Sequence, residues 1–214
     1  MSARSGIGFD SHRFEEGRRL VLGGVEVPFS KGLAGHSDAD VLAHAVTDAL
    51  LGAAGLEDIG AHFPDTDERW RDADSIELLR HARALLDEKG LAPVNVDAVV
   101  LCEAPKLGAF RDAMRERLAD ATGLGPADVG VKFTTAEGMG FVGHGEGIAV
   151  LATASVVPAR SSSTCWEYSR ARWIATTSHF RAWPRSRGWC GTVRSRRGSS
   201  WSSTSTASGA STRH

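Results

Sequence analysis

The first 157 residues contain a single cysteine, Cys102, so no disulfide can close within them, and a reducing compartment is the expected setting. Met1 to Gly8 has no apolar leader core, and no run approaches the length of a membrane span. A cytoplasmic protein without a membrane partner is therefore expected. No internal repeat divides the chain. Residues 158–214 contain no Leu, no Lys and no Asp, and no helical or strand period survives there. Such a segment lacks the aliphatic content that offsets the entropy of ordering a core.

Positive charge is also scarce at first and then excessive. Residues 1–157 carry 15 Lys+Arg against 25 Asp+Glu, a net of −10, whereas residues 158–214 carry 10 Arg against Glu167 alone, a net of +9. An acidic body argues against nucleic acid as a partner. Two readings of the tail compete. Arginines interleaved with five of the six tryptophans would suit phosphates and stacked bases. Arg/Ser enrichment with no Lys is also what a GC-rich coding sequence gives in the wrong frame, and this is the favoured reading. The expectation is one domain over residues 1–157 and a disordered tail over 158–214 without function.

What the body does contain is a set of metal-type ligands. Ile7 to His12 reads as a strand, and its period of two puts Asp10 and His12 on one side. From Asp38 to Ala53, Leu42, Ala45, Val46, Ala49, Leu50 and Ala53 make a buried helical stripe, with Asp40, His44 and Asp48 on the other side. Asp10, His12 and His44 form a carboxylate and two imidazoles, a set that leaves a divalent cation such as zinc one open position.

Strands are expected at about 4–12, 19–29, 94–102, 129–135 and 146–156, and helices at about 38–54, 74–89 and 106–121. Asp74 or Ser75 suits the second helix's N-cap, with Ile76, Leu79, Ala82 and Leu86 inward and Gly90 at its end. Pro105 suits the first turn of the third, with Phe110, Ala113, Met114, Leu118 and Ala121 inward. Helices needing one covering surface imply an α+β two-layer sandwich, mostly β sheet with helices on one face. Its uncovered sheet face predicts an oligomer.

Other motifs suit phosphate. Asp58-Ile59-Gly60 and Phe63-Pro64-Asp65-Thr66-Asp67 read equally as turn caps and as a binding loop. Ala104-Pro105-Lys106 sets a cation at a helix start, where free N–H groups favour an anion, though Lys106 also reads as a solvated helix residue. Lys132 to Glu137 ends a strand with Thr134, Thr135 and a carboxylate at Glu137 able to hold a hard cation such as magnesium; Thr-Thr also reads as plain β propensity. Glycines at 138, 140, 143, 145 and 147 permit close backbone approach, or simply turns.

Residues 4 to about 156 resemble the 2-C-methyl-D-erythritol 2,4-cyclodiphosphate synthase family. The matching strings are Gly8-Phe9-Asp10-Ser11-His12, Leu22-Gly23-Gly24-Val25, Gly35-His36-Ser37-Asp38-Ala39-Asp40-Val41-Leu42, Thr47 to Ala53, Asp58-Ile59-Gly60, Phe63 to Asp67, Pro105-Lys106 and Gly140-Phe141-Val142-Gly143. Their order and spacing carry the resemblance; no single string would. It implies a phosphorus-oxygen lyase that cyclises 4-diphosphocytidyl-2-C-methyl-D-erythritol 2-phosphate and releases CMP, with a homotrimer sharing its active sites between subunits. It implies zinc on Asp10, His12 and His44, magnesium or manganese leaning on Glu137, and transition-state stabilisation by His36 and Thr135. Ser37, Asp58, Ile59, Gly60, Phe63, Asp65 and Asp67 fall on the methylerythritol and phosphate side. Cys102, Ala104, Pro105, Lys106, Leu107 and Gly108 fall on the cytidine side, with Thr134, Phe141 and His144 also matched to the substrate. Four residues depart from the pattern. Phe133 stands where a small residue is usual and either crowds the nucleotide or fills a gap beneath it. Ala136 replaces a threonine, Gly138 replaces a longer side chain, and His144 replaces an arginine whose permanent fork it cannot copy. A metal-dependent nucleotide diphosphate hydrolase and a non-catalytic metal-binding trimer are the competing expectations.

Overall fold

A computed structural model of the chain describes residues 2–64, 66–70 and 73–159. Asp65 and nearly all of the Arg/Ser/Trp tail, on which expectations were placed, lie outside the described residues. The chain runs through β1 (Arg4–Glu16), β2 (Leu20–Leu22), β3 (Val25–Val27), β4 (Lys31–Leu33), α1 (Val41–Ala54), α2 (Ile59–His62) and α3 (Ser75–Glu88). It continues through β5 (Leu91–Leu101), α4 (Arg111–Thr122), β6 (Val129–Thr134), α5 (Gly140–Gly143) and β7 (Gly147–Pro158). The main sheet has the order β4-β1-β7-β5-β6, antiparallel except for the parallel pair β5 and β6.

Strand alternation divides the sheet into two unlike faces. Val96, Ala98, Val100, Val150, Ala152 and Ala154 are buried on the side covered by helices. On the other side Ile7, Phe9 and Leu151 are 65%, 60% and 40% exposed, an uncovered apolar patch. This is the expected two-layer α+β sandwich. Helix α1 lies over β1 and β7. Its whole apolar stripe is buried, as are Ile76, Leu79, Ala82 and Leu86 of α3. Each fully buried Leu in that layer is worth roughly 1.5–3 kcal/mol over an exposed one. Asp74 caps α3 by accepting from the Ile76 N–H. No helix among the described residues is long and apolar enough to cross a membrane.

Several expectations need correction. The strand expected over 19–29 is a hairpin of β2 and β3, because Gly23 and Gly24 take φ of +57° and +70° and turn the chain. Pro105 does not open the third helix. Helix α4 starts at Arg111, and Lys106 therefore does not sit at its N-terminus. Met114, Leu118 and Ala121 are buried as expected, but Ala113 is exposed and Ala119, beside Leu118, is buried. Asp40 is not on α1's polar side. It is fully buried as the N-cap, accepting from Leu42 and Ala43 N–H and from Gly23 and Gly24 N–H at 2.8 and 2.6 Å. Burial, with the Asp38 charge nearby, pushes its carboxyl above the usual range, and the Ala43, Gly24 and Gly23 N–H groups pull it part of the way back; the four bonds tie the hairpin to the helix start.

Candidate active site

Asp10 and His12 point from β1 toward α1, on the same side as Gly6 and Gly8. A Cβ at Gly8 would overlap the Ala45 carbonyl oxygen, and one at Gly6 the Ala49 carbonyl oxygen. The missing side chains let α1 lie directly on the strand, and His44 thereby meets the two strand residues. Asp10 Oδ2 is 2.9 Å from His12 Nε2 and 3.0 Å from His44 Nδ1, and the two ring nitrogens are 3.3 Å apart. Burial opposes ionisation of Asp10, but the His12 and His44 imidazoles beside it outweigh this and hold the carboxyl well below the usual range. Burial also opposes a charge on His12, yet the bonded Asp10 carboxylate raises its pKa above the ordinary value.

Three donor atoms converging in this way can hold a metal ion. A tetrahedral ion with bonds of ~2.0–2.1 Å spaces its ligands by about 3.3 Å, close to the separations here. The donors are also ready for it. His12 Nδ1 donates to the Ala34 carbonyl at 2.6 Å, which leaves the Nε2 lone pair facing the centre.

Around the triad the 35–38 turn is tied down by Arg18, whose guanidinium donates to the Gly35 and Ser37 carbonyls, each at 2.6 Å. Ser37 is buried, with its hydroxyl 3.2 Å from His44 Nε2. His36 is half-buried, and its Nε2 is shielded without a hydrogen-bond partner among the described residues. Asp58 caps the short α2, accepting from Ala61 N–H, while Ile59 N–H donates to Asp48 of α1 at 2.8 Å. Gly60 is exposed on α2. Phe63 closes that turn and meets the Trp70 ring edge-on at 5.2 Å. Asp67 is bound bidentately by Arg69.

A second locus lies at the ends of β5 and β6. Cys102, Pro105, Lys106, Leu107, Gly108, Thr134 and Thr135, with Arg111 and Phe133, line a pocket of about 540 Å³. Phe133 also packs against the core, and the Arg111 guanidinium sits 5.2 Å from its ring centre. The side chain thus packs on the core and forms part of the pocket wall. Burial pushes the Cys102 thiol up to about 11. It is a neutral wall atom, donating to the Ala104 carbonyl at 3.1 Å. Beyond β6, Thr135 donates to the Glu137 carboxylate. Phe141 and His144 are exposed on and after α5, outside both groups.

The sequence reading missed Arg18, Asp38, Ser75, Glu103 and Arg111. Glu103 accepts from Ala136 N–H at 2.9 Å and so anchors the turn carrying Thr135 and Glu137. Its partner is 33 residues away, so no local pattern reveals it. Arg18 in a glycine-bounded basic pair offered the one local hint.

The register separates the two loci. Asp10 pairs with Val150, Val150 with Val100, and Val100 with Phe133. Three interstrand steps span about 14 Å, and Val100 and Val150 between them are fully buried.

Known proteins match the stretch of chain that carries this layout. A family model described as the YgbB family matches residues 3–157. A 2-C-methyl-D-erythritol 2,4-cyclodiphosphate synthase of Rubrobacter xylanophilus is 62% identical over 152 residues, covering 70% of this chain and 92% of that protein. A solved 2C-methyl-D-erythritol-2,4-cyclodiphosphate synthase in a CDP-bound form is 40% identical with a TM-score of 0.67, covering 72% of this chain and 100% of that one. The bifunctional IspDF of Campylobacter jejuni is 45% identical with a TM-score of 0.70, over 72% of this chain but 42% of the longer protein. With sheet order, ligand triad and pocket all carried by the matched residues, this chain belongs to the YgbB family.

Proposed function

We propose that the chain is a 2-C-methyl-D-erythritol 2,4-cyclodiphosphate synthase, acting on 4-diphosphocytidyl-2-C-methyl-D-erythritol 2-phosphate. The observation that carries this is the pairing of a half-buried Asp-His-His triad with a nucleotide-sized pocket in a chain of this family. An oxygen of the 2-phosphate attacks the β-phosphorus, the bond from that phosphorus to the oxygen bridging the α-phosphate breaks, and CMP leaves. The nucleophile and electrophile belong to one molecule, so catalysis is positioning and charge stabilisation.

Asp10, His12 and His44 would hold zinc and Glu137 would hold magnesium or manganese, and such ions would supply positive charge to the phosphate oxygens. His36 and Thr135 would stabilise the transition state, Thr135 once its hydroxyl is released from Glu137. Ser37, Asp58, Ile59, Gly60, Phe63, Asp65 and Asp67 orient the methylerythritol and its phosphate. Cys102, Ala104, Pro105, Lys106, Leu107 and Gly108 seat the cytidine, with Thr134 on the diphosphate and Phe141 and His144 at the periphery. A buried core separates the triad from the pocket of the same chain, so one substrate cannot bridge them through it. A homotrimer that joins one subunit's triad to its neighbour's pocket resolves this, and the uncovered Ile7, Phe9 and Leu151 patch supplies the contact.

Phosphorus NMR of the purified chain with substrate and magnesium tests the reading. Cyclic diphosphate and CMP, lost on chelating zinc, are expected. Linear phosphates would replace it with hydrolysis, and bound but unchanged substrate with a non-catalytic protein.

A further inference from the structure

Behind the metal triad a chain of buried polar groups runs away from His44. Ser75, the first residue of α3, is fully buried, and its hydroxyl lies 2.9 Å from His44 Nε2. The same hydroxyl donates to Asp38 Oδ1. Asp38 Oδ1 also takes the Asp40 N–H at 3.2 Å, and Oδ2 takes the Ser75 N–H at 3.3 Å. An ionised carboxylate only accepts, so the one hydroxyl hydrogen of Ser75 is committed to Asp38. Ser75 then faces His44 with a lone pair, and Nε2 must supply the hydrogen. Ser37 is compatible with the same polarity: its oxygen lies 3.2 Å from Nε2 and accepts the Ala39 N–H, and its own hydrogen has the Ser75 oxygen as an acceptor at 3.3 Å.

We propose that Ser75 and Asp38 are positioning residues for the metal ligand His44. Asp38 fixes Ser75 as a donor toward itself, Ser75 accepts the Nε2 hydrogen, and Nδ1 is left with a bare lone pair beside Asp10 and His12. The two imidazoles are thereby set by different means and on opposite nitrogens, His12 by the Ala34 carbonyl and His44 by this relay. Because α3 carries Ser75 and the 35–38 turn carries Asp38, the relay also fixes the ring's orientation from two elements that supply no ligand. The inference rests on the metal-site reading but not on the cyclisation reaction.

The test uses the full chain, stripped of metal and titrated with zinc against a chromophoric chelator, in wild-type, Ser75→Ala and Asp38→Asn forms. Both oxygens of Asp38 accept backbone N–H groups, so an amide must turn its NH2 against a donor and disturb the relay. Zinc affinity is expected to fall about tenfold or more in Ser75→Ala and by a smaller factor in Asp38→Asn. Proton NMR of the cobalt-loaded protein gives a readout that a merely structural role would not move. The wild type should show two sheltered, shifted imidazole N–H signals, and Ser75→Ala should keep one. A Ser75→Ala chain that melts like wild type in the metal-free form, retains both signals and binds zinc within about twofold of wild type overturns the proposal. Should Ser75→Ala fail to fold, unchanged affinity and signals in Asp38→Asn overturn it instead. A wild-type chain that binds no zinc overturns it whatever its activity, whereas zinc binding without ring closure sinks only the synthase reading.

Discussion

The Asp10/His12/His44 triad and the 102–108 pocket are built by opposite means. The triad stands on a strand and a helix pressed together, with each imidazole anchored from behind. The pocket is made by irregular chain at the ends of β5 and β6 and is shaped by turns, a thiol and the Phe133 ring. A site on regular elements is held to fractions of an ångström by packing it shares with the core, whereas a loop site relies on anchors such as Glu103. A metal needs the first kind of precision, and a nucleotide tolerates the second.

If the contrast holds, damage to one locus should spare the other. The largest effect is expected for His44→Ala. Zinc affinity should drop by more than the about 100-fold that losing an outer partner costs, and ring closure should vanish with it. CDP binding, followed calorimetrically without zinc, should barely change; a parallel loss would mean that the loci are not separable. Next comes Gly8→Ala, whose Cβ must displace the Ala45 carbonyl. Overpacking of this kind costs ~1–3 kcal/mol, or roughly 2–4 °C of melting temperature per kcal/mol for a chain of this length. Zinc affinity should fall as α1 is pushed from β1, and thermal melts with and without zinc would read both effects. Lys106→Ala is a smaller change on the other side. Lys106 lines the pocket, and an exposed cation there would be worth about 1 kcal/mol to a diphosphate, so CDP binding should weaken roughly fivefold with zinc affinity intact.

The smallest effect is a pH signature confined to the triad. Asp10 is held below its unfolded value of about 3.9, so its contribution is present above that pH and is lost as pH falls toward its lowered folded pKa. His12 is raised above about 6.5, so its contribution is present below that pH and is lost as pH climbs through the raised value. Metal-free protein should therefore gain most from the triad between about pH 4 and 6.5. Zinc requires neutral imidazoles, so its own stabilisation should grow as pH rises. Melting temperature against pH, with and without zinc, would show the two trends crossing. The pocket should add nothing to either, because its Cys102 thiol stays neutral up to about 11.

How much of this was legible differs by element. Strand β1 and helix α1 declared themselves through periods of two and 3.6, which put Asp10 and His12 on one side and His44 on a polar stripe, and ligand chemistry then singled out the three. The hairpin at Gly23-Gly24 was not legible as a hairpin, because short apolar runs on each side of it read as one strand. Asp40 sits four residues before His44 and reads as its neighbour on a polar face. Its carboxylate instead turns back to cap the helix and to bind two N–H groups 16 and 17 residues earlier. Pro105 carries a helix-start preference that the chain does not use, and the helix begins six residues on, at Arg111.

By itself the sequence determined which residues face one another along a single strand or helix, since backbone periodicity is a local property. It also determined the family, because ordered strings of ligands and glycines are written in one dimension. Only the tertiary structure decided that Ser75 and Asp38 stand behind His44, that Glu103 holds the turn after β6, and that a buried core divides triad from pocket. Those contacts join groups tens of residues apart, and they exist only because burying the two apolar faces against each other fixes how α1 and α3 sit on the sheet.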